Sequence, residues 1–353
     1  MSSGGPEHLV ADVSVRVNGQ PLPSAAHEDL VSVTAFEDLD APAMFALRLV
    51  NWDTQQLRIT WSDSTLFKLG AAVEIQMGYV NHLATILTGE VTGLEPEFSA
   101  TGAPTVTVRG YDRSHRLMRG RRTRTFTEIK DSEIARQLAK DAGLSAQSDD
   151  TRIKHPYLYQ HNQTDYEFLL QRAARINYEL RVQDKTLSFR PRQNAKPATL
   201  TLDVGSDLLS FSARLSSVGQ SPEVSVRGWD PKTKKAIVAS ASQQTSTMAG
   251  NAGGPASSRQ AFGSASAAVV EQPIVSAAEA QQIADAQFND AALRYVTAEA
   301  TCAGRNDLHA GSVIKIKGAG TRFSGDYYVM SVRHVFDGTD GFQTSFSARR
   351  NAA

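Results

Sequence analysis

The chain has 353 residues, long for a single core, and domains of roughly 100 to 150 residues make two or three units the expectation. Its 41% apolar and 21% charged residues fit a protein folded in water, and no run approaches the ~20 uncharged apolar residues a membrane-spanning helix needs. Lysine plus arginine equals aspartate plus glutamate at 37 each, which excludes a global pull toward nucleic acid or membrane and leaves that work to local clusters.

Met1 to Pro6 runs directly into Glu7, His8 and Asp12, without the basic leader and apolar stretch of a secretory signal, so export by that route is not indicated and residues 1–9 read as a tail. From residue 10 to about 125 the pattern is that of strands. Val13, Val15 and Val17 alternate with polar residues, as do Phe45, Leu47 and Leu49, then Val73, Ile75 and Met77, then Val106 and Val108. Period two with turn residues between the runs predicts half-buried antiparallel strands closed into a barrel or sandwich.

The period changes near Phe126. Asp131 is a good N-cap, Ile134 and Leu138 share a face and Gly143 follows, which predicts a helix over 132–142. A second helix starts at Thr164, where Thr164 and Glu167 form a capping box and Leu169, Ala173 and Ile176 face inward. Tyr178 to Val182 and Leu187 to Phe189 alternate around a turn at 183–186 and predict a hairpin. Residues 126–192 therefore make a small α+β unit.

Strand patterns return at 199–202 and 224–226, opening a second β domain over 193–353. Its segment 239–272 is rich in Ser, Ala, Gly and Gln and too poor in large apolar residues to offset its ordering entropy, so a mobile loop is expected. Residues 276–294, with Ser276 as N-cap and Glu279 three positions on, predict a helix. Residues 313–348 revert to strands. The one cysteine, Cys302, excludes an internal disulfide and any multi-cysteine metal site, and reads as a small core residue in a protein made in a reducing cytoplasm.

Two stretches repeat. Pro104 to Asp112 recurs as Pro222 to Asp230 with six of nine positions identical, both ending Arg-Gly-aromatic-Asp. Gly70 to Ile75 is echoed by Gly311 to Ile316, each followed downstream by Thr88-Gly89-Glu90 or Ser324-Gly325-Asp326. Two echoes flanking one α+β unit favour two related β domains, and a trimer of such chains would present six similar units around one axis.

Signatures of catalysis are missing: the sequence has no Gly-x-Ser-x-Gly, His-Glu-x-x-His, Walker loop or Gly-x-Gly-x-x-Gly. No catalytic, cofactor-binding or metal-binding residue is assigned. His155 and His161 bracket Pro156 in what reads as a loop, and Asp38 with Asp40 and Asp149 with Asp150 sit in turn-like sequence that suits caps better than paired-carboxylate chemistry. The one charge cluster is Arg113, Arg116, Arg119, Arg121, Arg122 and Arg124. Three readings stand for it: a solvated interdomain linker, a contact to a neighbouring subunit or tube, and phosphate neutralisation, the last without the interleaved aromatics that a base-stacking site needs.

At Val106 to Leu117, Gln160 to Leu169, Ala173 to Tyr178, Phe323 to Val329, Val332 to His334 and Gly341 to Phe346 the sequence resembles the late control gene D family of phage tail proteins, over about residues 10–350. These are hub proteins of contractile tails and of related injection systems. The resemblance implies a mainly β chain in which two related β-barrel domains flank a small α/β domain. It implies a homotrimer that joins a six-fold inner tube, or its initiator protein, to a three-fold spike, with baseplate wedge proteins around it. It supplies no catalytic residue and no cofactor, and implies neither membrane insertion nor sequence-specific nucleic-acid binding. Assembly in the bacterial cytoplasm and incorporation into a virion or injection-system baseplate follow from it. Because the sequence ends at Ala353 without an oligosaccharide-binding barrel or β-helix, the spike is expected to be a separate polypeptide. The alternative is a tail-associated peptidoglycan or polysaccharide hydrolase, or a binding module for such polymers.

Overall fold

The computed structural model describes residues 10–230, 233–245, 247, 248, 252–270, 274 and 276–353, so the N-terminal tail of residues 1–9 lies outside it. In chain order the first β unit contains β1 (Ala11–Val17), β2 (Gln20–Pro21), α1 (Ser24–Glu28), β3 (Leu30–Asp38), β4 (Met44–Val50), β5 (Trp52–Asp53), β6 (Arg58–Ile59), β7 (Ala72–Tyr79), β8 (His82–Glu97) and β9 (Thr105–Tyr111). The middle unit contains β10 (Arg122–Lys130), α2 (Asp131–Asp141), β11 (Ser145–Ser148), β12 (Lys154–Gln163), α3 (Asp165–Arg175), β13 (Tyr178–Gln183) and β14 (Thr186–Pro191). The last stretch contains β15 (Leu200–Asp203), β16 (Leu208–Leu215), β17 (Glu223–Asp230), β18 (Lys235–Ala241), α4 (Gly254–Phe262), β19 (Ser266–Val269) and α5 (Ala277–Leu293). It closes with β20 (Val296–Ala303), β21 (Val313–Lys317), α6 (Gly320–Phe323), β22 (Gly325–Asp337) and β23 (Gly341–Arg350).

The alternating residues are the core. Phe45, Leu47, Leu49, Ile75, Met77, Val106 and Val108 are each fully shielded, and burial of a side chain of this size stabilises by about 1.5–3 kcal/mol. Their neighbours at odd steps face out, as period two demands. Thr164 caps α3 as the sequence predicts: its Oγ1 accepts from the Glu167 amide at 3.1 Å and the Glu167 carboxylate accepts from the Thr164 amide at 2.9 Å. The first middle helix begins one residue earlier than expected, because Asp131 is its first helical residue rather than its cap and spends its carboxylate on Arg172 and His155. Gly143 closes that helix at φ 71°, a left-handed position that favours glycine.

Two β units share one strand order. In the first, neighbours run β1-β7-β8-β9-β4-β3, and in the second β15-β21-β22-β23-β20-β16. The match extends to irregularities. A bulge between Val91 and Gly93 on β8 recurs between Val329 and Ser331 on β22, and one between Leu30 and Ser32 on β3 recurs between Leu208 and Ser210 on β16. The Gly70 amide donates to the Val91 carbonyl at 2.8 Å and the Gly311 amide to the Val329 carbonyl at 2.8 Å, and the Val91 and Val329 amides return bonds to Ala71 and Ser312 at 2.9 Å. The Gly70 and Gly311 echo is thus a structural equivalence. One difference is that β1 joins β7 antiparallel whereas β15 joins β21 parallel.

The stronger-looking echo is not an equivalence. β9 lies inside the large sheet, but β17 lies in a separate three-stranded sheet, β18-β17-β19, covered by α5, and the counterpart of β9 is β23. What the two stretches share is local: a Cβ on Gly110 would lie 2.2 Å from the Phe45 ring, and one on Gly228 would lie 2.9 Å from Ile274. Each glycine admits a large side chain against the strand, so similar sequence reports similar crowding. The β17–α5 substructure is inserted between β16 and β20, where the first unit has only the short turn from β3 to β4. It also corrects the expectation for 239–272: its described residues include α4 and β19, which pairs in parallel with β17, while residues 246, 249–251, 271 and 272 lie outside the description. The predicted helix at 276–294 is α5, with the Ser276 hydroxyl accepting from the Glu279 amide at 3.1 Å.

The two units are fused. β3 of the first pairs antiparallel with the second half of β22, from Ser331 opposite Asp38 to Asp337 opposite Ser32, making one 13-stranded sheet. The fold is mainly β, with the α+β unit between two related β units.

Candidate assembly interface

The arginine cluster divides into two groups. Arg113 Nε donates to Glu90 Oε1 at 3.2 Å, Arg116 Nε donates to Glu90 Oε2 at 3.1 Å, and His115 Nε2 lies 2.7 Å from the same oxygen. Arg113 also holds Asp184 on the β13–β14 turn. Burial alone would raise the Glu90 pKa, but the hydrogen bonds and charges of Arg116 and His115 outweigh it and hold the carboxyl at about 2. In the second group Arg121 bridges the Asn162 carbonyl at 2.7 Å and Glu167 at 3.1 Å, while Arg124 donates to Gln160 at 2.8 Å, reaches Asp165 and lies 5.2 Å from the Phe126 ring centre. Arg122 is half exposed at 3.6 Å from Asp165, and Arg119 is exposed with no ion pair among the described residues. Five of the six therefore pair within the chain, Arg122 by the longest contact, and Arg119 and the half-exposed Arg122 face outward.

Sequence reasoning missed the charged pins between units. Arg181 on β13 donates to Glu37 on β3 at 2.7 Å and to the Ala310 carbonyl at 2.7 Å. Tyr328 on β22 donates to Glu179 on β13, Arg192 meets Asp290 at 3.1 Å, and Arg175 meets Glu279 at 3.0 Å. The middle unit is tied to both β units by buried or half-buried polar contacts, and at Arg181 the geometry resists rotation because one guanidinium satisfies two partners at fixed angles. Nothing in the local pattern marks these residues, because each pair is separated by scores of positions.

Glu37, His309 and His334 bring three ligand-type atoms within 4.8 Å of one another. The chemistry is that of a hydrogen-bonded junction: His334 has Thr344 Oγ1 at 3.0 Å on Nδ1 and the Leu308 carbonyl at 3.2 Å on Nε2, and the free side of Glu37 is taken by Arg181. Burial pushes His334 down to about 4, so the ring is neutral at pH 7.

His155 and His161 lie on strand β12 rather than in a loop. His155 is buried 3.1 Å from Asp131, and His161 is exposed beside Tyr159. The pattern Tyr157, Tyr159, His161 has the period of a strand, and the Pro156 before it obscured that signal. Tyr157 and Tyr159 stack at 6.5 Å on an exposed face of the β10–β12 ribbon. The acidic pairs have turn roles: Asp38 accepts from the Asp40 amide at 2.7 Å, and Asp150 accepts from the Arg152 amide at 3.2 Å.

The model of one protein family, described as the Alg8 N-terminal domain, matches residues 7–337. The chain belongs to the Alg8 N-terminal domain family. No curated protein matches this Alg8 N-terminal domain chain. Among solved structures it is similar to the 43 kDa tail protein of prophage MuSo2 from Shewanella oneidensis, at TM-score 0.72 and 14% identity, with 96% of this chain and 98% of that one covered. It is similar to a tail protein of Neisseria meningitidis MC58 at TM-score 0.70 and 15% identity, covering 97% of each chain. An E. coli protein described as a component of the type VI secretion system, with structural similarity to T4 bacteriophage tail proteins gp27 and gp5, matches at TM-score 0.60 and 14% identity over 96% of this chain and 77% of that one. The Alg8 N-terminal domain chain thus has the fold of these tail proteins. Among its described residues no helix is long and apolar enough to cross a membrane.

Proposed function

We propose that the chain is a structural baseplate hub subunit of a phage tail or contractile injection system. Three copies form a ring that joins a six-fold inner tube to a three-fold spike, with residues 10–125 and 193–353 as its two ring-forming units and 126–192 between them. The observation that carries this reading is the duplication: two β units with the same strand order and the same bulges, in a chain with a tail-protein fold, give three chains six like positions. The pins through Arg181, Glu179 and Glu90 suit a part that transmits force without bond chemistry. Arg119 and Arg122, with Tyr157 and Tyr159, are the outward groups offered to the tube or a baseplate neighbour, since arginine and tyrosine are enriched at protein interfaces. The spike and the wedge proteins are separate partners in this reading, assembled in the bacterial cytoplasm.

The test is mass in solution. Native mass spectrometry and sedimentation over micromolar concentrations should show a species of three times 38.2 kDa. A chain that stays monomeric throughout overturns the ring.

A further inference from the structure

The first unit and the second are joined by a pairing whose counterpart is left open at both ends of the sheet. β3 and β22 make the internal junction, and their topological equivalents are β16 and β8. Among the described residues β16 is the terminal strand of the sheet and pairs only with β20. On β8, the neighbour β7 stops at Ala72 opposite Glu90, so residues 92–97 have, among the described residues, only β9 beside them. On β22 that same stretch, Ser331–Asp337, is where β3 sits. Two unpaired edges therefore stand where one filled junction already exists within the chain, and an unpaired edge is a template for another strand.

The shared bulges fix the alignment. Val91 corresponds to Val329 and Gly93 to Ser331 on one side, and Val33 corresponds to Phe211 and Ser32 to Ser210 on the other. Transferring the observed register, Val332 opposite Glu37 and Arg333 opposite Phe36, places Leu94 opposite Leu215, Glu95 opposite Arg214 and Phe98 opposite Phe211. We infer that the chain binds a second copy of itself by antiparallel pairing of β16 from one copy with residues 93–98 of β8 and its extension in the next, repeating the β3–β22 junction between molecules.

The side chains at these positions fit the pairing. Glu95, which pairs with Arg109 of β9 at 2.7 Å in the single chain, also faces the cation Arg214, which is exposed and has no ion pair among the described residues. Phe98 is 65% exposed in the single chain, and Leu94 and Leu215 are half-buried, whereas Val33, Ala35, Val332 and His334 at the filled junction are completely covered. The open edges thus leave apolar surface uncovered that the internal junction buries. Pro96 stands where His334 stands at the internal junction. The Leu39 amide donates to the Met330 carbonyl at 3.1 Å, so alternate pairs, including Ala35 with His334, exchange both backbone bonds. With Pro96 there, the intermolecular ladder has one donor fewer, which leaves this contact weaker than the internal one and reversible. The pairing is asymmetric, head to tail, so it builds no two-fold dimer and closes into a ring only where the rotation allows, and closure at three rests on the trimeric reading above.

The alternation puts Glu95 and Arg214 at a non-hydrogen-bonded pair, where facing Cα atoms are only about 4.5 Å apart and a disulfide can form. The experiment is the double variant Glu95→Cys with Arg214→Cys, oxidised and run without reductant. The buried Cys302 is left in place, the two single variants serve as its control, and Glu95→Cys with Ser212→Cys serves as a slipped register. The reduced protein must first show the parent's mass. Dimer and trimer bands confined to the first pair, and abolished by reductant, are expected. A trimeric mass without that cross-link, or with equal cross-linking in the slipped pair, overturns the edge pairing and leaves the ring reading standing. A monomer in every variant and in the parent overturns both.

Discussion

The Arg181 guanidinium lies 2.7 Å from the Glu37 carboxylate, across the boundary between the α+β unit and the first β unit, and the same guanidinium reaches Ala310 of the second. One side chain thus bolts three units at the point where β3 and β22 meet. Arg181→Ala should cost about 2–3 kcal/mol in chemical denaturation, because it leaves a buried carboxylate with only a hydrogen bond to His309 and the neighbouring His334 ring among the described residues. Arg181→Lys should recover part of this, since an ammonium can neutralise Glu37 without the fork that also reaches Ala310.

Acid should loosen the short helical turn of residues 113–118 from β8 through Glu90. Its folded pKa, about 2, lies below the ordinary glutamate value, so between those values the unfolded chain binds more protons than the folded one. The stabilisation is complete above about pH 5 and is lost as pH falls toward 2. Glu37 and Asp131, also lowered, act in the same sense. Glu90→Gln should reduce stability at pH 7 and flatten its dependence between pH 5 and 2, followed by urea unfolding at each pH. An unchanged slope would show that Glu90 is not the group that titrates.

Thr164→Ala removes the hydroxyl that accepts from Glu167 and should cost about 1 kcal/mol, seen as a lower urea midpoint with an unchanged slope. Thr164→Ser should be close to neutral.

Gly110→Ala and Gly228→Ala separate the two members of the sequence echo. At 110 the new methyl would meet the Phe45 ring at 2.2 Å and the Glu90 carbonyl at 2.3 Å, both inside the main sheet, and a loss of about 3 kcal/mol is expected. At 228 the contact is the buried Ile274 side chain at 2.9 Å, with no backbone atom as close, so a side-chain shift can relieve it and the loss should be smaller. Thermal unfolding of the two variants compares them directly.

Much of the local structure was legible because it is set by neighbours along the chain. The alternation of Phe45, Leu47 and Leu49, the Thr164 and Glu167 box, the hairpin around Asp184 and the helix after Ser276 each depend on residues within a few positions. The strand β12 was missed because Pro156 and two histidines resemble a loop when the pairing with β10, which supplies the missing order, is out of view. The segment 239–272 reads as structureless because Ala and Ser carry little burial of their own, although β19 gains order by pairing with β17 and the start of α4 is held by backbone bonds between Ala252 and Ala353 and from Gly254 to Asn351.

By itself the sequence determined that the chain is mainly β with an α+β unit in the middle, that its helices start at Thr164 and Ser276, and that some duplication lies in it, because period, caps and repeats are local properties. Only the tertiary structure decided which echo is a true equivalence, where five of the six arginines spend their charge, and which edges are left open. The first and third depend on strands 178 or more positions apart taking equivalent places, Arg214 standing where Phe36 stands and Gly93 where Ser331 does, and the second on partners 23 or more positions away. Side-chain period says which face of a strand is buried, but only the assembled sheet says which strand lies beside it.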